Sequence, residues 1–357
     1  MAAPATPAPR AAILPGTRLR LRGILVPAGG LLGVAILAVL VGPVRLDSVG
    51  VIRELVDRLP LVDLTSGLSE RDATILWELR LPRVVLGGLV GATLAMAGAT
   101  YQGVFRNPLA DPYLLGVAAG AGLGATLAIA YIPESSVWPV PPLPVAAFAG
   151  GLAGVGATYV LGRSGGRTRT TTTLILAGVA VASFLTALQA YVQQREAETL
   201  RQVYSWILGQ LSTAGWGDVV LILPYVGASG LAIVLHRRHL DVMSVGDEEA
   251  DSLGIRASRI RLALVVAATL ATAAAVAVSG LIAFVGIIVP HAIRLTVGSS
   301  FRVVLPLSIF AGAAFLILAD LLARTAVAPA EIPIGVITAF FGAPFFLLVL
   351  RRSRSLD

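Results

Sequence analysis

The sequence predicts an all-α integral membrane protein with about ten transmembrane helices, some of them short or broken. Three observations carry that reading. Hydrophobic residues make up 56% of the 357-residue chain and charged residues only 13%, about half the charged share of an ordinary soluble domain. Mean hydropathy is +0.86. Apolar runs of near-spanning length recur along the chain, where a transmembrane barrel would show short alternating segments.

The runs fall in order at about 24–44, 81–105, 113–132, 143–162, 172–192, 217–235, 258–279, 281–297, 303–323 and 333–350. Residues 1–23 form a Pro/Ala-rich tail with Arg10, Arg18, Arg20 and Arg22. The first run is long and lacks a small-x-small site before Arg45, so it reads as a retained span rather than a cleaved signal. Residues 24–350 then form one membrane domain, followed by a short tail at 351–357. Segment 45–79 is polar and acid-rich and lies outside the membrane. The apolar stretch 262–289 is too long for one upright span and too short for two. It predicts a full helix, a non-helical connector at Ser279-Gly280, and a half-helix carrying Pro290 and His291. Irregular backbone at membrane depth must be buried in protein or line a cavity, which puts this hairpin inside the bundle. The run after Asn107-Pro108-Leu109-Ala110-Asp111-Pro112 is similarly short. Proline disfavours helix at the preceding residue, and Asp111 is placed to cap the next helix.

The arginines orient the chain. With the N-terminus inside and ten alternating spans, 18 of the 27 basic residues fall on the cytoplasmic side, as the positive-inside rule requires. Both termini are then cytoplasmic, and the net charge of +7 reports topology rather than a nucleic-acid partner. All 27 basic residues are arginine and there is no cysteine. Disulfides, thiolate metal sites and the lysine of a P-loop are therefore excluded; if ATP drives this protein, another chain hydrolyses it. No catalytic, cofactor or metal site is expected. His291 has no partners at ligand spacing and reads as a helix-end polar residue. Gly87-x-x-x-Gly91, Gly120-x-x-x-Gly124 and Gly150-x-x-x-Gly154 mark close helix packing, within one subunit or at a subunit seam.

One stretch interrupts the apolar pattern at length, from His236 to Arg261. Within it, acids at Asp247, Glu248 and Glu249 favour a helix N-terminus. Ala250 and Leu253 offer an apolar face, and Gly254 offers a stop. On the outer side, segment 195–216, with Glu196, Glu198, Arg201 and Trp216, suits a short interfacial helix. Ser183, Thr186, Gln189 and Gln193 place polar groups in or beside the span 172–192. They line a translocation path or glue helices together.

Several segments together resemble the FecCD-type permease family. They are Arg80-Leu81-Pro82-Arg83, Gly91-Ala92 through Gly98-Ala99 to Gln102, and Arg106-Asn107-Pro108-Leu109-Ala110-Asp111-Pro112-Tyr113-Leu114-Leu115-Gly116. In the second half, Tyr204-Ser205-Trp206-Ile207-Leu208-Gly209, Phe284-Val285-Gly286-Ile287-Ile288-Val289-Pro290-His291-Ala292-Ile293-Arg294, Ala319-Asp320 with Ala323-Arg324, Glu331-Ile332-Pro333-Ile334-Gly335 and Gly342-Ala343-Pro344-Phe345-Phe346 also fit. The likeness runs from about residue 70 to 350. Members are the membrane subunits of type II ABC importers for ferric siderophores, haem and cobalamin. The resemblance implies that fold, a homodimer, two ATP-binding cassette subunits and an extracytoplasmic solute-binding protein. It further implies that Arg80, Arg83 and Arg324, against the positive-inside trend, pair with acids of the binding protein, a task suited to bidentate arginine. It places the ATPase-coupling helices at Gly246, Asp247, Glu248, Glu249, Ala250, Ser252, Leu253 and Gly254.

The leading expectation is a ferric-siderophore importer permease of the bacterial cytoplasmic membrane, with haem and cobalamin as alternatives. A secondary transporter would need acidic pairs buried in its spans, and Asp320 is the one obvious acid in a span. An intramembrane enzyme would need a nucleophile or metal motif, such as H-E-x-x-H, that the chain lacks.

Overall fold

The computed structural model describes residues 21–58, 67–133, 140–163 and 171–354. The expected tail at 1–23 lies largely outside the described residues, as do 355–357 of the final tail and Arg167 and Arg169, whereas 351–354 continue the last helix.

Each apolar run of the described chain contains a helix. Helix α1 (Arg22–Leu40) leads to α2 (Ser48–Asp57), capped by Asp47, whose carboxylate accepts from the Val49 and Gly50 amides at 3.2 and 2.9 Å. Ser69 caps α3 (Glu70–Thr74), which runs through a π-helical turn at Ile75–Arg80 into α4 (Leu81–Val104). The wide turn sits just before Pro82, whose missing N–H breaks the regular ladder. The second span thus begins about ten residues before its apolar run, inside the segment expected to be extramembrane.

After α4 the Arg106–Pro112 turn leads into a 3₁₀ turn at Pro112–Leu115, capped by Asp111 at 2.7 Å from the Tyr113 amide. Asp111 therefore caps this intervening turn, and α5 (Val117–Tyr131) starts only after Gly116, at φ 83°. Then come α6 (Pro142–Arg163), α7 (Thr171–Arg195), the short amphipathic α8 (Leu200–Ile207) and α9 (Trp216–Leu235). The charged interruption folds as α10 (Arg237–Val245) and α11 (Asp247–Ser252). The last elements are α12 (Ala257–Ser279), α13 (Val285–Val297), α14 (Phe301–Thr325) and α15 (Ile334–Arg354). Among the described residues seven helices are long and apolar enough to cross a membrane, and α5, α13 and α15 are shorter apolar helices. Together they match the ten runs.

Burial ranks them. The spans containing α4 and α12 have 78% and 72% of their most apolar windows buried, against 11% for α1 and 17% for α7. The centre is therefore α4 and α12, with α14, α13 and α9 around them and the α5–α6–α7 group alongside. Small residues permit this closeness. A Cβ on Gly98 would lie 2.1 Å from the Gly286 carbonyl, and one on Gly120 would lie 2.1 Å from that of Gly150. These seams are internal to the chain.

The connector between α12 and α13 lies where Ser279-Gly280 predicts it. Gly280 and Phe284 both have φ of 69°. Buried backbone there needs partners. The Tyr113 hydroxyl supplies two, donating to the Ile282 carbonyl at 3.0 Å and accepting from the Ile282 amide at 3.1 Å. The Gln210 amide donates to the Ser279 carbonyl at 2.9 Å, and the Ile334 and Gly335 amides donate to the Gly209 and Leu208 carbonyls at 3.2 and 2.9 Å.

Candidate functional site

Two clusters lie at opposite ends of α4. The first surrounds α10 and α11. Leu240 and Met243 of α10 are fully buried, as is Ala250 of α11, and Met243, Ala250 and Ala257 pack together. Polar bonds then fasten the pair to three spans. Arg106, in a left-handed conformation at φ 49°, donates through Nε to the Met243 carbonyl at 2.6 Å and through Nη2 to Asp247. Arg261 of α12 donates to both oxygens of Asp247 at 2.8 and 3.0 Å. Asp241 of α10 caps α14, accepting from the Phe301 amide at 2.6 Å and the Ser300 hydroxyl at 3.0 Å.

Burial alone would raise the Asp247 pKa, but the hydrogen bond and charge of Arg261, with those of Arg106, hold it below the usual carboxylate range. The carboxylate is therefore charged at neutral pH. Opposite these contacts α11 presents Glu248, Glu249 and Ser252 to the exterior, and Leu253 follows them in the exit turn. Gly246 adjoins the Glu249 carboxylate, which folds over it so closely that a Cβ would collide. Gly254, at φ 75°, ends the exit turn as expected. Leu253 departs from the expected apolar face. It is 68% exposed, because it sits in the exit turn rather than on the face that buries Ala250.

The second cluster lies around the start of α4. Arg80 and Arg324 are almost wholly buried. The last carbonyls of α1 lack intrahelical donors, and these arginines serve them. Arg80 donates to Val39 at 2.8 Å, to Leu40 at 3.2 Å and to Val44, while Arg324 donates to Ala38. Arg83 is clamped on two edges. Its Nε and Nη2 hold the buried Asp320 at 2.8–3.0 Å, and its Nη1 and Nη2 hold both oxygens of Glu331 at 2.9 Å. Arg324 also faces Asp320 at 3.6 Å. All three arginines are thus engaged within the chain. Of their acidic partners, Glu331 is the more accessible, its side chain 33% exposed against 4% for Asp320. Sequence reasoning singled out Asp320 and the Glu331 motif without pairing either with Arg83.

The polar residues of α7 do not act together. Gln189 is buried against Gly122 of α5, as polar glue, and Gln193 is half-buried. Ser183 and Thr186 are exposed beside Phe184 and Leu188. Near α8 a cavity of about 600 Å³ is lined by Ile129, Arg201, Ser205, Trp206, Gln210 and Thr213, among others. Among the described residues no cluster of acids and histidines could hold a metal ion.

Comparison with known proteins places this architecture. The FecCD transport family matches residues 30–352. A cobalamin import system permease protein, BtuC, of Halobacterium salinarum is 44% identical over 81% of this chain and 76% of its own. An uncharacterized ABC transporter permease protein, YvrB, of Bacillus subtilis is 42% identical over 78% and 79%. The hemin transport system permease protein HmuU of Yersinia pestis is 39% identical over 78% and 83%. Among solved structures, an inward-facing metal-chelate type ABC transporter superposes with a TM-score of 0.80 at 26% identity, over 93% of this chain and 99% of that one. The chain belongs to the FecCD transport family and is a membrane-spanning permease subunit of an ABC transporter.

Proposed function

We propose that this permease moves a ferric siderophore inward across the bacterial cytoplasmic membrane, as a homodimer driven by two separate ATP-binding cassette subunits. Both termini face the cytoplasm in this reading, and residues 24–350 act as one domain. The observation that carries it is α11, a short helix bolted through Asp247 to α12 and to the turn that follows α4, while Glu248, Glu249 and Leu253 stay exposed. That arrangement suits a handle, stiff toward the spans and open toward an outside motor. Exposed Ser183 and Thr186 on α7, among apolar neighbours, suit a face completed by a second copy around a central path. The cargo rests on relatives. Permeases named for Fe(3+)-citrate and iron(3+)-hydroxamate import are 39% and 38% identical, and the cobalamin relative, at 44%, supports the second reading. The test is uptake into vesicles holding the assembled importer and ATP, offered a radiolabelled ferric hydroxamate or cobalamin. Ferric uptake that needs ATP is expected. Saturable cobalamin uptake alone would replace the cargo, and uptake independent of ATP would remove the mechanism.

At the other end, Arg83 is the arginine we assign to docking the extracytoplasmic binding protein, with Arg80 and Arg324 fixing the helices beneath it. Its outer edge already holds Glu331, so a partner carboxylate must replace that residue. Exposed ion pairs are worth about 0.2–1 kcal/mol, so Glu331→Gln should tighten docking by about 1.4- to fivefold. Arg83→Glu should weaken it by at least about tenfold through charge repulsion. Surface plasmon resonance on the reconstituted importer reads both. An unchanged affinity for Arg83→Glu would sink the docking role. Weaker docking for Glu331→Gln would sink the exchange alone.

A further inference from the structure

At the α10–α11 end, three arginines share two carboxylates. Arg106 and Arg261 divide Asp247, and Arg302 faces Asp241 at 3.4 Å. Arg294, near the end of α13, has no carboxylate within ion-pair distance among the described residues. Its Nη1 donates to the Gln102 amide oxygen, and its guanidinium lies over the Phe301 ring, 5.4 Å from the centroid. Gln102 is itself fixed, donating to the Gly286 carbonyl at 3.0 Å. A half-buried guanidinium held only by an amide and a ring lacks a compensating charge.

The space beside it has the right chemistry to supply one. A cavity of about 270 Å³ is lined by Gln102, Arg106, Ser244, Arg294, Ser299 and Phe301. It holds two guanidinium groups, two hydroxyls and no acid. Its volume is several times the share of one water in the liquid, about 30 Å³. Planar guanidinium forks match phosphate oxygens, and serine hydroxyls add donors. Next to it Leu295 and Val297 are 63% and 48% exposed, giving an apolar surface on which acyl chains can lie. Basic pockets between helices at the cytoplasmic face commonly hold anionic headgroups.

We propose that this cavity binds a phosphate group, with Arg294 and Arg106 as its cationic walls and Ser299 and Ser244 at its rim. The source is either the headgroup of an anionic phospholipid or a free phosphate. Bound there, the anion neutralises Arg294 and bridges the ends of α4, α13 and α14 beside the coupling segment.

The assembled importer, with its ATPase subunits, is reconstituted in nanodiscs containing equal phosphatidylglycerol and phosphatidylcholine. Native mass spectrometry then counts retained lipid after mild delipidation. The wild type should keep phosphatidylglycerol that Arg294→Gln loses, with occupancy falling at least about tenfold. Ser299→Glu supplies a carboxylate at an exposed rim position without touching the bond between Arg294 and Gln102. It should produce a similar loss, so the test does not depend on Arg294→Gln folding normally. Millimolar inorganic phosphate that displaces the lipid, or binds where no lipid is retained, identifies the free-anion source. Lipid that phosphate does not displace identifies the headgroup. Equal lipid counts and no phosphate binding across wild type and both variants would overturn the site. Occupancy only after the ATPase subunits are stripped away would also overturn it, and would assign Arg294 to an acid of that partner.

Discussion

Alanine at position 320 is expected to leave little folded permease in the membrane. Asp320 takes three hydrogen bonds from Arg83 and faces Arg324 at 3.6 Å. Its side chain is 4% exposed and that of Arg324 is 2% exposed. Removing one partner of a buried pair costs about 3–5 kcal/mol, because the remaining charge stays desolvated. Here Arg324 is left without a carboxylate and Arg83 keeps only Glu331, against a total stability of roughly 5–15 kcal/mol for a typical protein. Arg324 also holds the end of α1 through the Ala38 carbonyl, so the damage should spread to the packing of α1. Membrane-fraction yield and thermal unfolding by fluorescence-detected size exclusion would register the loss. Wild-type yield with an unshifted melting temperature would show that Glu331 alone satisfies the cluster.

Asparagine at position 247 should produce the second largest effect, with a different signature. Asp247 lies at the surface of the fold, half exposed, so insertion and yield should survive. What fails is the joint between α11 and the spans, since Arg106 and Arg261 both meet on this carboxylate. ATP hydrolysis should continue in the assembled importer while uptake per ATP falls at least about tenfold, as three charge-assisted bonds weaken together. Leu253→Ser should uncouple as well, by removing the exposed apolar contact rather than the joint. Acid supplies an independent check. Because the folded-state pKa of Asp247 is depressed, its stabilisation is complete above the unfolded carboxylate value, about 4, and is lost only as pH falls through the lower folded value. Coupling should therefore stay flat from mildly acid to neutral pH. A midpoint near pH 6 would assign the control to another group, and unaltered coupling in Asp247→Asn would make α11 an ordinary surface turn.

The helices were legible because each announces itself locally. The run 258–279, the break at Ser279-Gly280 and the stop at Gly254 all follow from hydropathy and backbone chemistry within a few residues. The partners of the arginines were not legible. Arg83 meets Asp320 and Glu331 across 237 and 248 residues of chain, and nothing in their neighbourhoods specifies that pairing. The resemblance gives Arg80 and Arg324 a partner outside the chain and none within it. Missing was the need of the α1 carbonyls for donors, which becomes visible only once α1 lies against α14. Leu253 was misassigned for a smaller reason: α11 ends at Ser252, one residue too soon to carry it onto the buried face.

The connector between α12 and α13 has a mechanical consequence. Four interruptions meet there: the connector itself, the turn at Leu208–Gln210, the start of α15 and the Tyr113 turn before α5. Backbone bonds and one tyrosine hydroxyl rivet them to each other. A span broken at that level can pivot without stretching a helical ladder, and its riveted neighbours must pivot with it. Displacing any one of these four segments therefore loads the bonds that hold the other three, so they shift as a unit or break the bonds they share.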